Sequence, residues 1–219
     1  MRLFLLAALS CGIFTEAVHA GPCSAAPNVW NEGDLGQGDA GKRPDTANVT
    51  FGSGSLDRIC GNLVNPAGGG DLYEIMITGT TFGAITEPRG DSTIDPSLYL
   101  FDSTGHAVVG NNDICSCNDQ SLLLGSGVTP GLYFLAIVPV NQQPINHKNK
   151  LIFGDLTGTS GSDFTPIVAN TLLDGWTNDG NSSGRYIIRL EGASFASPEP
   201  ASLLLVGAGL VVFAVRRRS

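Results

Sequence analysis

Short runs in which apolar and polar residues alternate, each closed by a glycine turn, constrain this chain to sheet. In the stretch from Asp71 to Thr78, Tyr73, Ile75 and Ile77 share one face. A period of two is the signature of a strand, because successive side chains point to opposite faces. The run from Ser97 to Gly105 sets Leu98 and Leu100 against Tyr99 and Phe101 before a Ser-Thr-Gly turn. From Gly184, Tyr186, Ile188 and Leu190 point inward while Arg185, Arg189 and Glu191 face water. The run from Gly131 to Val140 differs: Leu132, Phe134, Ala136 and Val138 oppose Tyr133, Leu135 and Ile137. It is too apolar to meet water on either side, which predicts a strand covered on both faces. Between the two chain ends the only hint of a helical stripe is the weak one over residues 167–176. Several short strands with glycine turns in one domain predict an all-β fold, a single β-sandwich.

The two ends are of another kind. Arg2, the apolar run from Leu3 to Phe14 and the small-residue site Val18-His19-Ala20 read as a signal peptide over residues 1–20, with the mature chain starting at Gly21. A lipobox around Cys11 is the competing reading; only ten residues precede that cysteine, and Ala8-Leu9 fit the lipobox pattern poorly. At the other end, the 15 residues from Ala201 to Val215 carry no charge. As a helix they span roughly 22 Å, short of the ~30 Å hydrocarbon core of a bilayer. Pro198, Glu199 and Pro200 prevent extension backwards, and Arg216, Arg217 and Arg218 stop it forwards and keep that end cytoplasmic. This is a weak anchor.

A Pro-Glu-Pro triplet, a short apolar helix and a terminal arginine cluster together resemble the PEP-CTERM sorting signal of Gram-negative bacteria. The resemblance implies processing by an exosortase near the triplet after transient membrane insertion of the tail, and delivery to the cell surface or extracellular matrix. With the signal peptide it implies two processing partners, signal peptidase and an exosortase-type enzyme. The alternatives are a permanent tail anchor and a buried core helix.

Residues 21–197 number 177, one domain's worth, and hold 18 acidic against 8 basic side chains, a net charge of −10. So acidic a surface excludes nucleic acid and anionic lipid as natural partners and suits divalent cations. Four cysteines remain after export, Cys23, Cys60, Cys115 and Cys117, an even number for an oxidising compartment. The favoured pairing is Cys23–Cys60 with Cys115–Cys117. A Cys-x-Cys bond is awkward geometry, so Cys60 with either loop cysteine stays open.

Along the chain, residues 21–48 are polar and glycine-rich with no periodicity. Gly36, Gly41 and Lys42 match the spacing of a phosphate-binding loop. Such a loop works only between an apolar strand and a helix N-terminus, and here a polar lead-in precedes it and Pro44 follows. Residues 49–193 form the sandwich domain, 194–200 a linker with the Pro-Glu-Pro motif, and 201–219 the apolar helix and arginine cluster. Asp71-Leu-Tyr, Asp95-Pro-Ser-Leu-Tyr-Leu-Phe-Asp102, Asn111-Asn-Asp113 and Thr129-Pro-Gly-Leu-Tyr133 resemble the bacterial pre-peptidase C-terminal domain. That resemblance covers roughly residues 49–193 and implies a jelly-roll-like sandwich and a role in engaging insoluble substrate. The chain departs from the pattern in its two loop cysteines and at Asn112, where a second aspartate is common.

The 45 residues from Val140 to Gly184 are a long connection for a compact sandwich. They are expected to cover a sheet edge or to form a ligand loop, with residues 150–153 as an added strand and Trp176 packed on the edge. No zinc-hydrolase or nucleophile-elbow motif occurs, and His106 follows a turn glycine where exposure explains it. The chain therefore reads as a non-enzyme. The sharper candidate is structural calcium, which takes six to eight oxygens commonly offered by turns. Asn111, Asn112, Asp113, Asn118 and Asp119 lie within nine residues, with Asp102 at the end of the preceding strand. Asn and Asp are equally what turns prefer for local hydrogen bonds. The function expected is that of an exported surface or matrix protein binding or organising extracellular polymer such as exopolysaccharide. A matrix-polysaccharide hydrolase and a purely structural coat protein are the alternatives.

Overall fold

The computed structural model describes residues 23–63, 70–87, 94–115, 118–125, 127–154, 163–177 and 183–197. The signal peptide, the Pro-Glu-Pro motif, the apolar tail and Cys117 fall outside these residues. Thirteen strands run in order β1 (Val29–Asn31), β2 (Asn48–Val49), β3 (Arg58–Leu63), β4 (Asp71–Ile77), β5 (Gly83–Thr86), β6 (Pro96–Asp102) and β7 (Ala107–Asn111), followed by β8 (Leu122–Leu124), β9 (Gly131–Pro139), β10 (Pro144–Ile145), β11 (Gly175–Trp176), β12 (Gly184–Glu191) and β13 (Ala193–Phe195). Strands β10 and β11 pair with each other as a separate two-stranded ribbon, and the other eleven form two facing sheets. One has the order β1-β3-β12-β5-β8; the other is β13-β4-β9-β6-β7, with β2 also on β4.

Setting aside the short edge pieces, β3-β12-β5-β8 opposes β4-β9-β6-β7. The chain passes from sheet to sheet at nearly every connection, which is the eight-stranded, double-Greek-key jelly roll. The alternation read in the sequence holds strand by strand. Tyr73, Ile75 and Ile77 from β4 meet Ile59 from β3 and Tyr186, Ile188 and Leu190 from β12 in the core between the sheets. Arg185 to Arg189 pair antiparallel with Asn62 to Arg58 of β3, which fixes those inward faces.

The second apolar face of β9 also has a partner. Phe134, Ala136 and Val138, with Leu72, Tyr99 and Phe101, lie under Ile152, Phe153, Leu173 and Trp176 of the long connection. Trp176 stacks at 5.6 Å from Tyr99 and meets Phe101 edge-on at 6.2 Å. The connection thus adds a third layer over one sheet. It closes the β7 edge too, because Gly110 pairs with Phe164 and the Ala107 amide donates to the Thr171 carbonyl at 2.9 Å.

Three boundaries differ from the sequence reading. The aperiodic segment 21–48 supplies β1, parallel to β3, and β2, parallel to β4. Its contacts are caps rather than a pattern: the Gln37 side chain donates to the Val49 carbonyl and accepts the Val49 amide, standing in for a strand. The boundary at residue 193 falls within β13, so the first residues of the expected linker, Ser194 and Phe195, are strand. Ser197 donates to the Thr50 carbonyl at 3.1 Å and accepts the Gly52 amide at 3.0 Å. Finally, residues 167–176 are not helical, and in 150–153 only Leu151 makes a bridge, to Ile145.

Candidate functional site

Two groups of three carboxylates have oxygens within 4.8 Å of one another. The first joins Asp95, Asp113 and Asp119 at the end of the sandwich where β6 begins. Ser121 organises this end. Its buried hydroxyl donates to the Pro96 carbonyl at 2.6 Å and reaches the carbonyls of Asn111 and Asn112, so the chain around 111–121 wraps the start of β6.

The candidate calcium residues separate once placed on this frame. Asp113 and Asp119 converge, and Asp95, which the sequence reading missed, joins them. Asp102 does not. It ends β6 while Asp95 precedes it, so seven residues of extended strand, about 23 Å, lie between them. The Asp102 carboxylate instead accepts the amides of Thr104 and His106 and the Thr104 hydroxyl. Burial pushes its pKa up, but those bonds outweigh it and leave the group below its ordinary value. The amides are committed as well. Asn111 accepts from Leu122 and donates to Asp163, Asn112 accepts from Ser97 at 2.6 Å and donates to Asp113, and Asn118 accepts the Gln120 amide. A local turn bond explains Asn118, and long-range partners hold Asn111 and Asn112; the aspartates are different.

Asp95 Oδ1 and Asp113 Oδ1 are buried with no hydrogen-bond partner. Unpartnered buried oxygens are costly, and like charges this close oppose each other's ionisation. Burial, then the charges of Asp113 and Asp119, push Asp95 up to about 6; burial and Asp119 raise Asp113. Hard oxygens of net negative charge without a donor fit a divalent cation. Asp95 was invisible because its neighbours in sequence are apolar and its neighbours in space come from 18 and 24 residues onward.

The second group joins Glu32, Asp39 and Asp71, where the segment after β1 crosses to the start of β4. Here three of the oxygens have donors. Glu32 Oε1 accepts the Ala40 amide at 2.9 Å and Oε2 the Asn62 amide at 2.8 Å, while Asp71 Oδ2 accepts the Tyr186 hydroxyl at 2.6 Å. The Tyr186 hydroxyl lies 2.5 Å from that of Tyr73, so a polar bridge crosses the core from one sheet to the other. Burial drives the pKa of Tyr73 and Tyr186 well up, and the charge of Asp71 adds to it.

Cys23 and Cys60 are disulfide-bonded, with Cα atoms 5.9 Å apart, which rules out Cys60 pairing with a loop cysteine. Cys115 is disulfide-bonded as well. A pocket of about 470 Å³ lies beside the bridge, lined by Cys23, Asn28, Val29, Asp57, Arg58 and Ile187 among others. Asp57 is tied to the Asn28 amide, and neither carboxylate group opens into this pocket. Among the described residues no helix is long and apolar enough to cross a membrane.

Residues 198–218 match the PEP-CTERM protein-sorting motif. The match supports an exported protein sorted by an exosortase and associated with the cell surface. It begins at the residue after Ser197, the last of the described residues. The chain has no significant match among curated proteins.

Proposed function

We propose that this chain is a non-enzymatic jelly-roll protein, exported and fixed at the cell surface or in the extracellular matrix, where it binds or organises extracellular polymer. The observation that carries the reading is the sorting motif starting directly after the bridge of Ser197 to the β-sandwich. The jelly roll is also the fold implied by the pre-peptidase C-terminal resemblance, whose role in engaging insoluble substrate motivates the polymer. A glycosidase sets two carboxyl groups across a cleft, about 5–5.5 Å or 6.5–9.5 Å apart. Neither group of convergent carboxylates here lines the pocket beside the Cys23–Cys60 bond. The large exposed apolar side chains are aliphatic: Leu35, Leu124, Ile167, Val168 and Leu172. Contact with polymer is accordingly polar rather than aromatic stacking.

Sorting is tested in the producing cells by replacing Pro198, Glu199 and Pro200 with alanine. The expected result is loss of nearly all processed protein from the surface and medium, with full-length chain retained in the membrane. Intact mass and fractionation read this out, and unchanged processing would refute the assignment. Retention of the processed protein on purified exopolysaccharide separates a binder from a plain coat protein.

Calcium belongs to the same reading, held by Asp95, Asp113 and Asp119, on the strength of the two unpartnered oxygens. A cation there relieves the repulsion and ties the 111–121 loop to β6. Removing it with EDTA should lower the Tm by about 5 °C, restored by Ca²⁺ and not by Mg²⁺. Asp95→Asn should show no EDTA response; a wild-type melting curve indifferent to EDTA would remove calcium from the account.

A further inference from the structure

The segment 32–46 is a strap. It leaves β1 in one sheet, crosses the rim of the sandwich and enters β2 in the other. Its fastenings include the Gln37 side chain on the Val49 backbone. Glu32 takes the amides of Ala40 and Asn62, Leu72 of β4 donates to the Gly41 carbonyl at 2.9 Å, and Trp176 Nε1 donates to the Lys42 carbonyl at 2.8 Å. At the centre stand Glu32, Asp39 and Asp71, contributed by the start of the strap, its middle and β4. Three carboxylates this close, one of them only 4 % exposed, cannot all carry charge. Both Glu32 oxygens and Asp71 Oδ2 already accept from two backbone amides and a tyrosine, and a proton relieves the repulsion that remains.

We propose that a proton shared between Glu32 and Asp71, beside the charge of Asp39, latches the strap across the two sheets, fastening it in mildly acid surroundings and loosening it as they turn alkaline. The groups facing the latch are Glu32 at the end of β1, Asp39 and Lys42 on the strap, Asp71 and Tyr73 on β4, and Tyr186 on β12. Lys42 is the cation among them, and it offsets only part of the charge on Asp71. Burial first, then Asp39, pushes Glu32 from 4.5 up to about 7, against the opposing pull of the Ala40 and Asn62 amides. Asp71 is raised by burial and by Glu32. The folded chain therefore keeps a proton that the unfolded chain loses. Stability from this source is complete below about pH 4.5 and drains away as pH climbs through about 7. Over that window the folding constant changes roughly a hundredfold. Once charged, Asp71 and Glu32 repel, and the strap, β2 and the Lys42 carbonyl lift from β4 and Trp176. The disulfide between Cys23 and Cys60 holds the chain on β3 throughout.

Trp176 reports the latch, since its indole N–H moves from the Lys42 carbonyl to water on release. In the full processed protein, its emission should shift to the red between pH 5 and pH 8 with a midpoint near 7, and the Tm should fall by about 5–10 °C. Asp95, Asp113 and Asp163 are also raised and titrate in the same direction, so the difference between variants is what counts. Asp71→Asn keeps an acceptor for Tyr186 and removes the charge. Asp39→Asn does the same on an exposed side chain, and it carries the test if the first variant folds poorly. Each should flatten the emission shift and reduce the fall in Tm. A wild-type emission that stays constant from pH 5 to 8 would overturn the latch, as would a shift that persists unchanged in Asp39→Asn.

Discussion

Gly61→Ala should cost about 3–5 kcal/mol of stability, far more than a methyl group usually does, because of where the methyl would go. Gly61 faces Tyr186 across the β3–β12 pair, and a Cβ there would lie 2.2 Å from the Tyr186 hydroxyl and 2.4 Å from Cζ. An exposed tyrosine would swing aside. Tyr186 cannot, being buried and held between the Tyr73 hydroxyl and the Asp71 carboxylate. Displacing it breaks the bridge between the sheets and leaves a buried carboxylate without its donor, so a packing clash becomes an electrostatic loss. Urea unfolding measures the cost, and Tyr186→Phe dissects it. The phenylalanine removes the nearest clashing atom, leaving the ring contact at Cζ. Both single changes break the same bridge, so the double variant should lose less than the two single changes added together. A Gly61→Ala protein within 1 kcal/mol of wild type would mean the bridge is soft.

Replacing Cys23 and Cys60 together by alanine should remove a comparable amount. The bond closes a separation of 37 residues, for which the loss of loop-closure entropy in the unfolded chain is about 4 kcal/mol. For a domain of this size that is a fall in Tm of about 8–15 °C, measured by thermal melting, with reduced wild type as the matching control. The bond secures β1, a three-residue edge strand whose other support is its parallel pairing with β3. A variant melting within 2–3 °C of wild type would show that this pairing holds the N-terminal segment unaided.

The sandwich was readable because its strands face water on one side and the core on the other, and such burial writes a period of two into the residues. The run from Gly131 to Pro139 went further, announcing by its uniform apolarity that both faces are covered. What covers the second face was not readable. Ile152, Phe153, Leu173 and Trp176 are scattered over 25 residues without a period, and only the fold gathers them. The N-terminal segment was opaque for a related reason. It is held by side-chain caps from Gln37 and Glu32 to backbone groups, which impose no repeat. The acidic loop was half readable: Asp113 and Asp119 belong together, but the choice between the two ends of β6 depends on which way the strand runs. Sequence proximity favoured Asp102, and the topology selects Asp95.

The closing strand also has a mechanical meaning. β13 runs antiparallel to β4, and beyond it Ser197 sits in parallel register with Phe51, gripped from both its amide and its carbonyl. A protein fixed to a surface through a point just past Ser197 would feel fluid drag first at this residue. Tension directed along β13 would shear the bonds to β4, Thr50 and Gly52 together, whereas a flexible leash peeling from an edge would release them one at a time. Sheared bonds share the force, so the junction resists rupture best in the direction in which a tethered particle is pulled.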